Sequence, residues 1–165
     1  GRTIRHTFEQ EGIADSHAHD IPVEVATQIA TLEQFLTGSG VPRWFLAARM
    51  DDAVVGTIAA GSANEIIRAN LDVAFDLSPE IKCAYVLPEW QGKGVGLSLL
   101  REILQILQQD GVHQYRLDCG YTRAQRFWRR RLGEPAVVLA DQYGPGAHHM
   151  IWHGSVAEAL SGRRV

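Results

Sequence analysis

Apolar residues recur every three or four positions in some stretches of this chain and gather into short uninterrupted runs in others, which lays out helices alternating with strands. The clearest helix follows residue 95. Leu99, Leu100, Ile103, Leu104 and Leu107 fall on one face, Arg101, Glu102, Gln105, Gln108 and Gln109 on the other, and Gly111 ends it. An apolar strand from residue 81 precedes it, and Gly92, Gly94 and Gly96 form the turn between them. Nearer the start, Val25, Ile29, Leu32 and Leu36 share a face and predict a helix of about four turns. Asp20 is its expected cap, Pro22 lies in its first turn and Gly38 follows its end. Residues 2–8 (RTIRHTF) alternate weakly and are expected to form a first strand.

Residues 44–50 and 53–60 are apolar, partly β-branched runs separated by Asp51 and Asp52, the pattern of a tight hairpin. The segment from Gly61 to Glu80 is a long connection. Ile67, Leu71 and Ala74 or Phe75 suggest a helix there, and Ser78 and Pro79 end it. After the central strand, turn and helix come a strand at 113–119, a basic helix at 122–132 and a closing hairpin of 136–140 with 147–153. The final SVAEALSGRRV reads as a short frayed helix. No repeat, low-complexity tract or linker divides residues 1–165, so one domain is expected. The order predicts a mixed α/β sheet of about six to seven strands with helices on both faces.

Composition narrows the function. A hydrophobic fraction of 45% is enough for a real core. A net charge of −3 and the absence of a basic amphipathic helix give no reason to expect nucleic acid or a membrane surface as partner. Cys83 and Cys119 sit inside apolar strand segments and read as small buried hydrophobes rather than a disulfide. No apolar run reaches membrane-spanning length and no signal peptide leads the chain, which opens on Gly1 as a processed chain would; a cytoplasmic setting is expected.

Glycines between a strand and a helix suit a phosphate, because the first N–H groups of the helix have no partner within it. Spacing separates the patterns that exploit this. The dinucleotide fingerprint needs a glycine where this chain has Leu97, and the nucleoside-triphosphate loop needs one where it has Leu87. A turn that merely joins strand to helix is the plain alternative. What remains is Gln91-Gly92-Lys93-Gly94-Val95-Gly96 after Val86-Leu87-Pro88. This resembles the pyrophosphate motif of the GNAT superfamily of acyl-CoA-dependent N-acyltransferases, in which Gln or Arg is followed by two residues, Gly, one residue, then Gly or Ala. The resemblance extends to the order of elements along nearly the whole chain, and it implies the GNAT fold.

It also implies acetyl-CoA as co-substrate and a set of residues that hold it. These are Tyr85, Val86 and Leu87 along the pantetheine arm, Gln91, Gly92, Lys93, Gly94, Val95 and Gly96 at the phosphates, and Ala124 and Trp128 on the following helix. That helix departs from the family pattern. Alignment on Ala124 puts Trp128 where the family often has the tyrosine that protonates the leaving thiolate, and indole is no usable acid near neutral pH. Tyr121, one loop earlier, is the substitute. Transfer to an amine also needs an oxyanion donor, for which the N–H of Val86 or Leu87 is available, and a base. Candidate bases are Glu80, Asp76, Asp72 and Glu65, with Glu80 preferred.

Other groups admit plainer readings. His17-x-His19 is similar to the metal-ligand opening of amidohydrolase barrels, but such barrels need about 250 residues and further ligands. No metal is expected. Arg123, Arg126, Arg129, Arg130 and Arg131 read as a solvated helix face, one or two of them beside the adenosine phosphates. Of His148, His149 and His153, alternation sets His149 and His153 on one face and His148 on the other, one of them placed near an acceptor. The expected function is acetyl transfer from acetyl-CoA to a primary amine of a small molecule or peptide in a ternary complex, with a homodimer allowed. The alternative is a GNAT fold that binds acyl-CoA for regulation without catalysis.

Overall fold

A computed structural model describes residues 1–38, 43–71 and 78–162. The candidate bases Asp72 and Asp76, and Ala74 and Phe75 of the suggested helix, lie outside the described residues. In chain order the elements are α1 (Arg2–Gln10), α2 (Asp20–Leu36), β1 (Trp44–Met50), β2 (Ala53–Gly61), α3 (Glu65–Asn70), β3 (Glu80–Val86), α4 (Val95–Gln109), β4 (Gln114–Cys119), α5 (Thr122–Leu132), β5 (Val137–Leu139), β6 (His149–Ser155) and α6 (Val156–Ser161). The strands make a mixed six-stranded sheet, flanked by helices, in the order β1-β2-β3-β4-β6-β5. The chain divides into two compact units, Gly1–Gly61 with Cys83–Ile103, and Ser62–Lys82 with Leu104–Val165.

In the first unit β1 and β2 pair antiparallel, closed by Met50↔Ala53 across Asp51 and Asp52, and Asp51 takes the left-handed φ of 50° that so short a loop requires. Val55, Ile58, Ala59 and Ala60 of β2 are buried, as are Leu99, Leu100 and Ile103 of α4. Each large aliphatic side chain so buried contributes about 2 kcal/mol. Two expectations are corrected in this unit. Residues 2–8 are helical, not a strand: Ile4 and Phe8, four apart, satisfy the helical repeat as well as alternation, and both are buried. The helix at residue 20 forms, but His19 stands at its cap without a side-chain capping bond and Asp20 is already helical. Its apolar stripe also faces outward, with Ile29 52% and Leu36 71% exposed. The inner face is set instead by Ile21, by Glu24, which accepts from the Tyr85 hydroxyl at 2.8 Å, and by Phe35, whose ring lies 5.6 Å from that of Phe45.

In the second unit β4 pairs antiparallel with β6, and β5 with β6 in the expected hairpin. β3 contributes residues 80–82, with Glu80 in the parallel pair Glu80↔Arg116. Ile67, Leu104, Leu107, Leu117, Ile151 and Trp152 form the buried interior here. Cys83 and Cys119 are both free thiols. Cys119 is buried as expected, whereas Cys83 is half-buried and takes a φ of 53°, a local kink in β3. Among the described residues no helix is long and apolar enough to cross a membrane.

Candidate active site

The first unit builds the glycine turn. Leaving β3, Leu87 donates its N–H to the Val55 carbonyl at 2.9 Å, and Pro88–Trp90 make one 3₁₀ turn. The expected oxyanion role of the Leu87 N–H is thereby corrected, since that donor is engaged within the sheet. Gln91 Nε2 donates back to the Val86 carbonyl at 3.1 Å, so its side chain braces the turn against the strand end. Gly92 and Gly94 then take φ of 72° and 87°, and a Cβ on either would meet nothing within 4 Å. Left-handed backbone in open space is glycine's use. Lys93 holds its ammonium 4.9 Å from the Trp90 ring centroid. Ser98 N–H donates to the Gly94 carbonyl at 3.0 Å, which starts α4 and leaves the N–H groups of its first turn without helical acceptors.

Gly56 of β2 positions that helix, and composition gave no hint of it. A Cβ there would stand 3.0 Å from Leu99 Cδ1 and 3.1 Å from both Val95 Cγ1 and the Tyr85 carbonyl. Only a residue without a side chain lets the first turn of α4 lie so close to the strand. Gly56→Val is expected to cost about 2 kcal/mol by overpacking and to weaken any ligand of the α4 N-terminus. Thermal melting and calorimetry on the same sample check both.

The second unit gathers a chain of polar side chains. Asn64 caps α3, its Oδ1 accepting from Ile67 N–H at 2.9 Å, which fixes which end of the amide donates. Its Nδ2 donates to Asp118 Oδ2 at 2.7 Å and to Glu80 Oε1 at 3.4 Å, and its backbone N–H donates to Glu80 Oε2 at 2.7 Å. Glu80 thus does from β3 what the fourth residue of a capping box does from within a helix. It is 4% exposed and paired with Lys82 Nζ at 2.9 Å. Burial holds its carboxyl above the usual range against the opposing pull of Lys82. Asp118 Oδ2 lies 3.0 Å from His149 Nε2, an ion-pair distance whose direction falls outside hydrogen-bond geometry. His149 Nδ1 lies 3.1 Å from the Tyr143 hydroxyl.

Helix α5 carries the remaining expected residues. Tyr121 is its N-cap and half-buried; Ala124 is half-buried; Trp128 is buried, edge-on to Phe127 at 4.8 Å. Gln125, buried, ties α5 down by donating to the carbonyls of Cys119 at 3.0 Å and His148 at 2.8 Å. His17 and His19 stay at the entry to α2, bonded to their neighbours Ser16 and Asp20. Among the described residues no three His, Cys, Asp or Glu converge as a metal site. Asn64, Asp118 and Tyr143 were not anticipated, and His149 only as one of three histidines.

The family model for the acetyltransferase (GNAT) family matches residues 11–133, a span containing the turn and α5. The chain belongs to the GNAT acetyltransferase family. Solved structures agree in fold. A GNAT-family protein from Desulfovibrio desulfuricans superposes with a TM-score of 0.67 at 21% identity, covering 82% of each chain. A ribosomal-protein-alanine N-acetyltransferase from Brucella melitensis gives 0.57 at 19%, covering 79% of this chain and 77% of its own. The PaiA N-acetyltransferase of Thermoplasma acidophilum, solved with coenzyme A, gives 0.58 at 16%, covering 93% and 86%. Among curated protein sequences none matches. Tyr143 and His149 of this GNAT chain lie beyond the matched span.

Proposed function

We propose that residues 1–165 are one acetyltransferase domain that moves the acetyl group of acetyl-CoA to a primary amine of a small molecule or peptide within a ternary complex. The observation that carries this reading is the turn itself: Gly92 and Gly94 are open on their Cα side and lead straight into the N-terminus of α4. Backbone N–H groups there suit a pyrophosphate, with Lys93 as an adjoining cation. Tyr85, Val86 and Leu87 would follow the pantetheine arm, and the Val86 N–H takes the oxyanion role that Leu87 cannot. Ala124 and Trp128 belong to the same binding assignment through α5, where Tyr121 is the residue assigned to protonate the thiolate. Glu80, buried and bonded to Asn64 and Lys82, serves the acceptor side from behind other groups rather than by touching the amine.

A second reading is favoured by Trp128, which is buried at the position of the family's usual acid: a fold that binds acyl-CoA without turnover. One experiment separates them. Acetyl-CoA binding is measured by calorimetry, then free thiol is followed across a panel of amines that includes an aminoglycoside, a polyamine, free amino acids and peptide N-termini. Thiol released only when one of the amines is present supports transfer. Binding with no release supports the second reading, and no binding removes both.

A further inference from the structure

The hydrogen bond that docks α2 on β3 also fixes a carboxylate. Glu24 Oε1 accepts from the Tyr85 hydroxyl at 2.8 Å and from Gln28 Nε2 at 3.1 Å, so two neutral donors hold the side chain in place. The other oxygen, Oε2, has no hydrogen-bond or ion-pair partner among the described residues. Helix α2 supplies no cation for it: Asp20, Glu24 and Glu33 are its charged residues, with no lysine or arginine among them. Glu24 is half-buried, and a carboxylate drawn partly out of water costs least with a cation against it.

We propose that Glu24 is the specificity-determining residue for the acceptor, binding its ammonium group through Oε2, and that Tyr85 is the positioning residue that aims the carboxylate; this rests on the acetyltransferase reading. Tyr85 gives the location. It heads the run Tyr85, Val86 and Leu87 assigned to the pantetheine arm, and that run leads to the phosphate turn at Gly92 and Gly94. The thioester end of the arm therefore lies at Tyr85, away from the phosphates, with Glu24 one hydrogen bond from it. All of these residues belong to the first unit. Two contacts with β2 seat this end of the run: the Thr57 hydroxyl donates to the Cys83 carbonyl at 2.9 Å, and a Cβ on Gly56 would stand 3.1 Å from the Tyr85 carbonyl. A primary alkylamine is an ammonium ion near neutral pH, so it arrives as a cation and gives its proton to solvent before it attacks. A free amino acid brings its own carboxylate beside the amine, which Glu24 repels. The acceptor class is thus a cationic amine such as a polyamine or an aminoglycoside.

Glu24→Gln keeps an oxygen for Tyr85 and Gln28 and removes only the charge. With the most active amine of the panel it is expected to raise the amine KM about 10-fold at near wild-type kcat and unchanged acetyl-CoA affinity, the pattern of lost ground-state binding. The wild-type KM is expected to rise with added salt and that of Glu24→Gln to stay flat, a difference that a packing role does not produce. Glu24→Asp returns the charge at shorter reach and should recover part of the affinity together with the salt dependence. Tyr85→Phe leaves the carboxylate less well aimed and is expected to raise KM about threefold. Circular dichroism confirms the fold of each variant. A wild-type KM in Glu24→Gln, a salt-independent KM in the wild-type chain, or a free amino acid as the preferred acceptor overturns the role of Glu24 and leaves the acetyltransferase reading standing. Absence of amine-dependent thiol release overturns that reading, and the role of Glu24 with it.

Discussion

Replacing Gly94 with Trp is expected to weaken acetyl-CoA binding by about 100-fold or more. Two or three charge-assisted bonds from backbone N–H groups to phosphate oxygens contribute about 1.5–3 kcal/mol each, and every 1.4 kcal/mol is about tenfold in affinity. An indole over the α4 N-terminus excludes the phosphates from those donors. The fold survives, because position 94 is exposed and a Cβ meets nothing within 4 Å; the φ of 87° adds strain of about 1–2 kcal/mol. Two milder variants separate the causes. Gly94→Ala carries the backbone strain with little bulk and is expected to bind a few-fold more weakly. Lys93→Ala removes an exposed cation and its contact with Trp90, so its effect should be small and fade with added salt. Unchanged affinity in Gly94→Trp by calorimetry would remove the turn as the cofactor site.

The turn was legible because its signal is local. Three glycines at alternate positions, a strand before and a helix after occupy one continuous stretch, and the buried face of α4 is written in Leu99, Leu100, Ile103, Leu104 and Leu107. Ambiguity began where one spacing served two periods. Ile4 and Phe8 fit a strand and a helix equally, and only burial decides between them. In α2 the helix is readable but its orientation is not: a hydrogen bond from Tyr85 to Glu24 and the Phe35–Phe45 contact turn residues inward that lie off the apolar stripe. No pattern along the chain announces either partner.

The polar cluster of the second unit was the least legible part for the same reason carried further. Asn64, Glu80, Asp118, Tyr143 and His149 come from a helix cap, three strands and a hairpin turn, and only the pairing of β4 with β6 and the capping of α3 bring them together. Glu80 stood out as an acid at the head of the central strand, but its apparent freedom disappears once Asn64 and Lys82 are seen to hold it. Gly120 read as the end of a strand; its function is the room it leaves for two rings.

Asn64 is the hub of that cluster, and Asn64→Ala is expected to be among the most destabilising single changes in the second unit. The variant loses the helix cap, about 1 kcal/mol, and withdraws the donor that lies between two largely buried carboxylates, about 1.5–3 kcal/mol more. The sum of about 2.5–4 kcal/mol lowers Tm by about 10 °C in a chain of this size. The loss must depend on pH, and its sign follows from Glu80. Burial raises the Glu80 pKa above the usual 4.5, so in the wild-type chain its contribution to stability is fully present below that value and declines as pH rises through the raised one. Without the Asn64 amide, Glu80 is held less well as an anion, and its pKa rises further. The deficit of Asn64→Ala is therefore expected to be greatest near neutral pH and to shrink on acidification, as the Glu80 carboxyl takes up a proton. Adding Glu80→Gln removes one of the charges and should recover part of the loss at neutral pH. A deficit that stays constant from pH 4 to pH 7 would mean that the cap alone accounts for it and that Asn64 does not hold the carboxylates together.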